Sequence, residues 1–293
     1  MRSVFYRIIH LAMSGLFFFY AFSVNAQSGW TKDKGDLFAK ISYLNFGSDK
    51  YYNLSGNSMQ TSECTQNALG LYGEYGITDR LTLLMDWSFL KSQGFETTEN
   101  VTGIGDMKLG VKYALVKKIP ISISVIPDLP LAQSNKYAQN KINSFEQINL
   151  PTGDGEFNVF SVLAISTSLY PIPVYANFYI GYNFRTKYQS IALSDQLLAG
   201  LEVGYNPIKP VWLKLGIKIQ QTLSSDNPSV SFVRGEGTEF TSIYGGVFYQ
   251  FIERWGIDVN YFGYLNGPQP RRNIYSGSVY SIGLVFELKR EEQ

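Results

Sequence analysis

Met107-Lys108-Leu109-Gly110-Val111-Lys112-Tyr113 decides the fold. Apolar and polar residues alternate strictly. Met107, Leu109, Val111 and Tyr113 share one side, while Asp106, Lys108, Gly110 and Lys112 share the other. In an extended strand successive side chains point to opposite faces, so this segment carries one continuous apolar face and one charged face. A helix would scatter the same residues around its circumference.

Working outward, the same pattern recurs. Upstream, Asp36–Phe46, Asn67–Tyr75 and the stretch from Thr82 to Phe89 read as strands. Downstream come Ile121–Val125, Asn158–Leu169, Ala176–Asn183, Leu197–Tyr205, Leu213–Gln220, Phe240–Phe251, Trp255–Tyr261 and Tyr280–Glu287. The Asn158–Leu169 segment is apolar on both faces, so its parity stays open. About twelve strands result, an even number. Tight turns follow the even-numbered strands, as at Gly76-Ile77-Thr78-Asp79-Arg80, and longer polar connections follow the odd-numbered ones. The longest connection spans about Asp128 to Glu156.

A soluble β-sandwich also alternates, but it does not predict regular short and long connections. An even count, short turns at one end, long loops at the other and an outward apolar face define an all-β transmembrane antiparallel barrel of outer-membrane type. Only a closed sheet or a helix leaves no unpaired backbone in hydrocarbon. Tyr75, Tyr113, Tyr205, Tyr249, Trp255 and Phe286 fall near the short-turn ends, as an interfacial aromatic girdle requires.

The N-terminus fits export. Arg2 and Arg7 precede an apolar run from Ile8 to Val24, and Val24-Asn25-Ala26 places small residues where a signal peptidase reads. Residues 1–26 are expected to be a cleaved signal peptide, and 27–293 a single transmembrane barrel domain in the bacterial outer membrane. No later apolar run reaches the roughly 20 residues that a membrane helix needs.

Composition narrows function. The only histidine, His10, lies in the expected signal peptide. A mature chain without histidine cannot build a Ser-His or Asp-His site, so barrel lipases, proteases and lipid hydrolases of that kind are disfavoured. Cys64 stands alone in the polar stretch Ser62-Glu63-Cys64-Thr65 and reads as an incidental loop residue. No thiolate zinc pattern exists, and the sequence calls for no metal and no cofactor. The net charge of +1 implies no polyanionic partner, so nucleic acid is not expected. Expected partners are membrane lipid and lipopolysaccharide, a small-molecule solute, and the barrel-assembly machinery during biogenesis.

Strand parity assigns an inward charged set. Lys40, Lys108, Lys112, Arg185, Lys214 and Lys218 oppose Glu74, Asp86, Asp106, Glu202, Asp258 and Glu287. These are the lumen-lining candidates. They fit either a salt-bridged interior or a polar pathway of weak ion preference.

Gly103-Ile104-Gly105-Asp106 followed by Lys108-Leu109-Gly110-Val111-Lys112-Tyr113, together with Leu150-Pro151-Thr152-Gly153-Asp154, resembles the outer-membrane β-barrel proteins of the meta-pathway of phenol degradation (MetA-pathway) family. The family-like positions are Gly103, Gly105, Asp106, Pro151, Thr152 and Gly153. Here the Pro-Thr-Gly element follows a long insertion after the fifth strand. The resemblance implies a channel or transporter for passive uptake of small compounds, hydrophobic or aromatic ones among them. A structural or surface-recognition barrel without transport, and a histidine-free barrel enzyme, remain the alternatives.

Overall fold

The structure is a computed structural model and describes residues 27–188, 191–224 and 235–290. The expected signal peptide lies outside these residues. Twelve long strands form the wall: β1 Leu37–Tyr52, β2 Ser58–Gly76, β3 Leu81–Phe95, β4 Met107–Val116, β5 Ile121–Leu129, β6 Asn158–Ser168, β7 Val174–Arg185, β8 Gln196–Ile208, β9 Val211–Thr222, β10 Phe240–Ile252, β11 Trp255–Leu265 and β12 Ser278–Leu288. Each pairs antiparallel with its neighbours in chain order. β1 pairs with both β2 and β12, running Leu37–Gly47 against Leu288–Ser278, and this seam closes the sheet into a twelve-stranded barrel.

The physical reason for each strand is visible in its burial. Along β4, Leu109, Val111 and Tyr113 are exposed on the outer face, whereas Gly110, Lys112 and Ala114 are buried inside. Ile123, Leu163, Ile180, Leu201, Ile217, Val259 and Ile282 continue the outer band around the wall. An exposed belt of this size on a soluble protein would be an aggregation surface; around a closed barrel it is a lipid-facing surface. The girdle residues Tyr75, Tyr113, Tyr205, Tyr249 and Trp255 are exposed beside the short turns, and Trp255 meets Phe286 in a tilted contact with ring centroids 4.9 Å apart.

The structure fixes the parity of β6. Phe160, Val162, Ala164 and Ser166 are buried inward, and Ser161, Leu163, Ile165 and Thr167 face out. Both faces are apolar because the lumen itself has an apolar wall at this height.

Two local expectations change. β1 and β2 run on past the membrane band as a hairpin whose tip is only residues 53–57. Cys64 therefore sits inside β2, fully buried, rather than in a loop. It packs among Phe46, Phe95 and Tyr275 as a small apolar group. In β3, Ser88 and Phe89 together oppose Gly70 of β2, since Leu69 pairs with Leu90 and Leu71 with Trp87. This bulge reverses the facing of the rest of β3, so Leu90 points outward and Gln93 and Phe95 point inward.

Candidate functional site

The lumen has three levels. At the short-turn end, residues 27–36 enter the barrel instead of lying outside it. Four consecutive strands hold them. Lys32 N donates to Thr82 Oγ1 of β3 at 2.9 Å, Lys112 Nζ of β4 donates to Trp30 O at 3.2 Å, Ser122 Oγ of β5 donates to Ser28 O at 3.0 Å, and Gly29 N donates to Ser166 Oγ of β6 at 2.7 Å. A side chain at position 29 would bring its Cβ within 2.1 Å of Pro120 O, so only glycine allows this approach. Trp30 meets Tyr175 edge to face at 5.6 Å, which seats the segment against β7.

The charged groups just above are ion-paired or hydrogen-bonded. Lys112 Nζ lies 3.4 Å from Glu74 Oε1, and Glu74 also accepts the Tyr72 hydroxyl. Asp258 is shared by Lys214 at 2.9 Å and Lys40 at 3.2 Å. Glu202 accepts Tyr175 OH at 2.9 Å and Asn177 Nδ2 at 3.1 Å. Buried charges need such partners, because an unpaired charge in a low-dielectric interior costs several kcal/mol. Glu287 sits half-buried on β12 opposite Phe38.

The middle level is different in kind. Tyr72, Leu84, Ile126, Phe160, Val162, Ala164, Tyr179 and Leu198 form an apolar cluster facing into the lumen, with Phe38 packed against it. Leu84, Ile126, Phe160, Val162 and Leu198, together with Asp86, Lys108, Lys218 and Gln27 of the inserted segment, bound a cavity of about 40 Å³. An adjoining cavity of about 80 Å³ shares Tyr72 and Asp86, and is lined by Lys40, Lys214, Tyr244 and Phe262 among others. Both are smaller than small-molecule sites, which run to roughly 300–1,000 Å³, so a solute larger than water passes here only as the lining side chains move.

The strand pattern alone does not single out this apolar wall. Its signal is a set of apolar doublets, Leu83-Leu84, Val125-Ile126, Val162-Leu163 and Leu197-Leu198. In each doublet one residue faces lipid and the other faces the lumen.

The level at the long-loop end is packed. The long connection after β5 carries a small hairpin, Tyr137–Gln139 with Gln147–Asn149, whose Ala138 and Ile148 join Leu150, Phe46, Phe95 and Tyr275 in an apolar cluster. The two family-like elements meet here. Asp106 lies just ahead of β4, and its carboxylate accepts Ala132 N at 3.0 Å and Asp154 N at 2.8 Å. A Cβ at Gly153 would come within 2.3 Å of Asp106 Oδ2, and one at Gly103 within 3.2 Å of Thr152. Gly105 O accepts the Trp87 indole at 3.1 Å, and Pro151 O accepts Gln93 Nε2 at 2.7 Å. Asp106 thus latches the long loop to the wall. Arg185 forms a second fastening. It bonds Glu156 at 2.5 Å and Glu236 at 3.4 Å, and so ties two loops to the end of β7.

Among the inward candidates, the structure therefore gathers Lys40, Lys214 and Asp258 into one group, Glu74 and Lys112 into another, and Asp86, Lys108 and Lys218 around the apolar wall. Arg185 and Asp106 stand apart at the loops.

No family model matches the chain, and no curated protein matches it. Solved structures do resemble it. The crystal structure of an outer membrane channel from Pseudomonas putida F1 superposes with a TM-score of 0.63 at 15% identity, covering 87% of this chain and 96% of that one. The translocator domain of the autotransporter NalP from Neisseria meningitidis superposes with a TM-score of 0.50 at 8% identity, covering 98% and 96%. At these identities the likeness establishes the fold, a barrel of outer-membrane type.

Proposed function

We propose that this chain is an outer-membrane channel or transporter for passive uptake of small hydrophobic or aromatic compounds, related to the MetA-pathway barrels. The observation that carries this reading is the apolar wall of Leu84, Ile126, Phe160, Val162 and Leu198 inside the lumen. A general aqueous pore needs polar walls throughout, whereas this level of the lumen is lined by hydrocarbon. The solved channel from Pseudomonas putida F1 supports the reading through its fold. Proposed partners are membrane lipid and lipopolysaccharide, the solute, and the assembly machinery that inserts barrels. No catalytic role is proposed.

The test is uptake of radiolabelled phenol by cells whose outer membrane lacks other channels for it. Expression of the wild type is expected to raise the initial rate, and Leu198→Arg, which puts a long cation into the cavity, is expected to abolish the gain while the barrel still assembles. Equal rates with and without the wild-type protein would refute transport.

A further inference from the structure

The short-turn rim of the barrel is not built like a water-facing edge. Tight turns in water favour Gly, Asn, Asp and Ser. Here every short turn presents a large exposed apolar residue: Ile77 between β2 and β3, Ile119 between β4 and β5, Tyr170 and Ile172 between β6 and β7, Ile208 ending β8 and Ile252 ending β10. Tyr170 is 89% exposed and Ile208 64%. The charges on the same turns are unequal. Arg80, Lys117, Lys118, Lys209 and Arg254 are exposed there, against Asp79 and Glu253. Lys117 meets Asp33 of the inserted segment at 3.1 Å, but both side chains are open to water, which weakens the pair. The other four cations hold no ion pair among the described residues.

Both features adjoin the aromatic girdle. Ile77 lies two residues beyond Tyr75, Ile208 three beyond Tyr205, and Ile252 three from both Tyr249 and Trp255. Three residues span about 10 Å even when fully extended. Girdle rings mark the headgroup level of a membrane, so the turn tips sit in or beside the headgroup layer. An apolar tip there buries hydrocarbon at the acyl boundary, and a neighbouring lysine or arginine reaches the phosphates. A protein partner docks on a contiguous patch. These residues are instead spread turn by turn around the circumference, and the lipid layer surrounds the barrel in that way. The excess of cations selects among lipids, because an anionic headgroup is attracted to it and a zwitterionic one is not.

We propose that the short-turn rim is a binding surface for anionic phospholipids, with Ile119, Tyr170, Ile172 and Ile208 at the acyl boundary and Lys117, Lys118, Lys209 and Arg254 on the phosphates. The proposal goes beyond the channel reading and needs only a membrane-embedded barrel.

The experiment is electron paramagnetic resonance on the full mature barrel in phosphatidylcholine vesicles. These carry a trace of spin-labelled phosphatidylglycerol or of spin-labelled phosphatidylcholine. The fraction of labelled lipid held immobile at the protein gives the relative association. Phosphatidylglycerol is expected to exceed phosphatidylcholine by about threefold or more at low salt. The two should approach parity in 1 M salt, where the screening length is about 3 Å. The preference is expected to vanish in the quadruple variant Lys117→Gln, Lys118→Gln, Lys209→Gln, Arg254→Gln, and to survive in Lys50→Gln with Lys141→Gln at the long-loop end. Equal association of the two lipids with the wild type would overturn the proposal, as would a preference that persists in the quadruple variant or is lost in the long-loop one. Should the quadruple variant fail to assemble, the wild-type comparison and its salt dependence decide on their own. The apolar tips are read from a spin label at Ile208→Cys. Oxygen, which concentrates in hydrocarbon, is expected to relax it more than a water-soluble nickel chelate does. The reverse order would overturn the proposal, leaving the tip to water or, if the barrel self-associates, to a second copy. Failure of phenol uptake would overturn the channel reading and leave the rim untouched.

Discussion

The inserted segment at residues 27–36 offers the sharpest perturbation. Its backbone is held by side chains from β3 to β6, and two of those side chains are neutral hydroxyl acceptors, Thr82 Oγ1 and Ser166 Oγ. Replacing them as Thr82→Val and Ser166→Ala removes two hydrogen bonds to the segment, together with the bond that Ser166 Oγ donates to Asn177 Oδ1 within the wall, and leaves the outer face untouched. Each such bond is worth about 0.5–1.5 kcal/mol net, so the pair should weaken the segment's hold by about 1–3 kcal/mol. Tenfold per 1.4 kcal/mol turns that into a rise of roughly 5- to 150-fold in the ratio of released to seated segment. The assay is single-channel recording in planar bilayers. The double variant is expected to show longer or more frequent high-conductance episodes, and a spin label at Trp30→Cys should gain mobility in parallel. Deleting residues 27–36 sets the fully released level. Unchanged conductance and unchanged label mobility in the double variant, with an effect on deletion, would show that these hydroxyls do not hold the segment.

Other consequences can be checked directly. Leu109→Arg puts a cation on the lipid face and should destabilise the barrel by about 2–4 kcal/mol near the midplane, read from urea unfolding in lipid vesicles; a change at Leu109 no larger than one at Lys108 would contradict the facing. Gly153→Ala forces a Cβ into the Asp106 carboxylate and should free the loop 130–156, so trypsin should cut at Lys136 or Lys141 faster than in wild type while the wall stays intact. Lys214→Glu with Lys218→Glu should move the reversal potential in a salt gradient toward cation preference, and the shift should shrink in 1 M salt, where the screening length is about 3 Å; a potential that does not move would place these lysines off the ion path. Protein recovered from the membrane fraction should begin near Gln27, and an intact Met1 would refute processing.

Why the wall is legible in the sequence and the loops are not has one physical cause. Lipid enforces alternation, so β4, β9 and β12 announce themselves as alternating strings and the count of twelve emerges from them. Beyond the hydrocarbon nothing enforces it, and the outer part of β2, Ser58–Glu63, is a strand polar at every position but Met59, which pattern alone treats as a loop. Cys64 reads as a loop residue for that reason. The bulge at Ser88 and Phe89 leaves no compositional trace, yet it decides that Gln93 and Phe95 face inward. Parity shows which side of the wall a charge occupies, but it cannot show that Lys40 and Lys214 share Asp258, because those residues are brought together only by closure. Arg185 is the extreme case. It ends β7, and its partners Glu156 and Glu236 belong to connections with no period at all.

The seam between β1 and β12 carries a consequence for how such a chain folds. Every other seam of the wall joins strands that are successive along the chain, so most of the sheet can zip up hairpin by hairpin. The last seam joins Leu37 to Leu288, far apart in the chain, and it forms only when the curvature of the zipped sheet brings its two edge strands together. Until then both β1 and β12 expose a full row of unpaired N–H and C=O groups, which can pair with another copy of the chain as readily as with each other. The barrel therefore has a slow, all-or-none final step that depends on eleven residue pairs, Leu37–Gly47 with Ser278–Leu288. Losing β12 leaves not a smaller barrel but an open sheet with two adhesive edges.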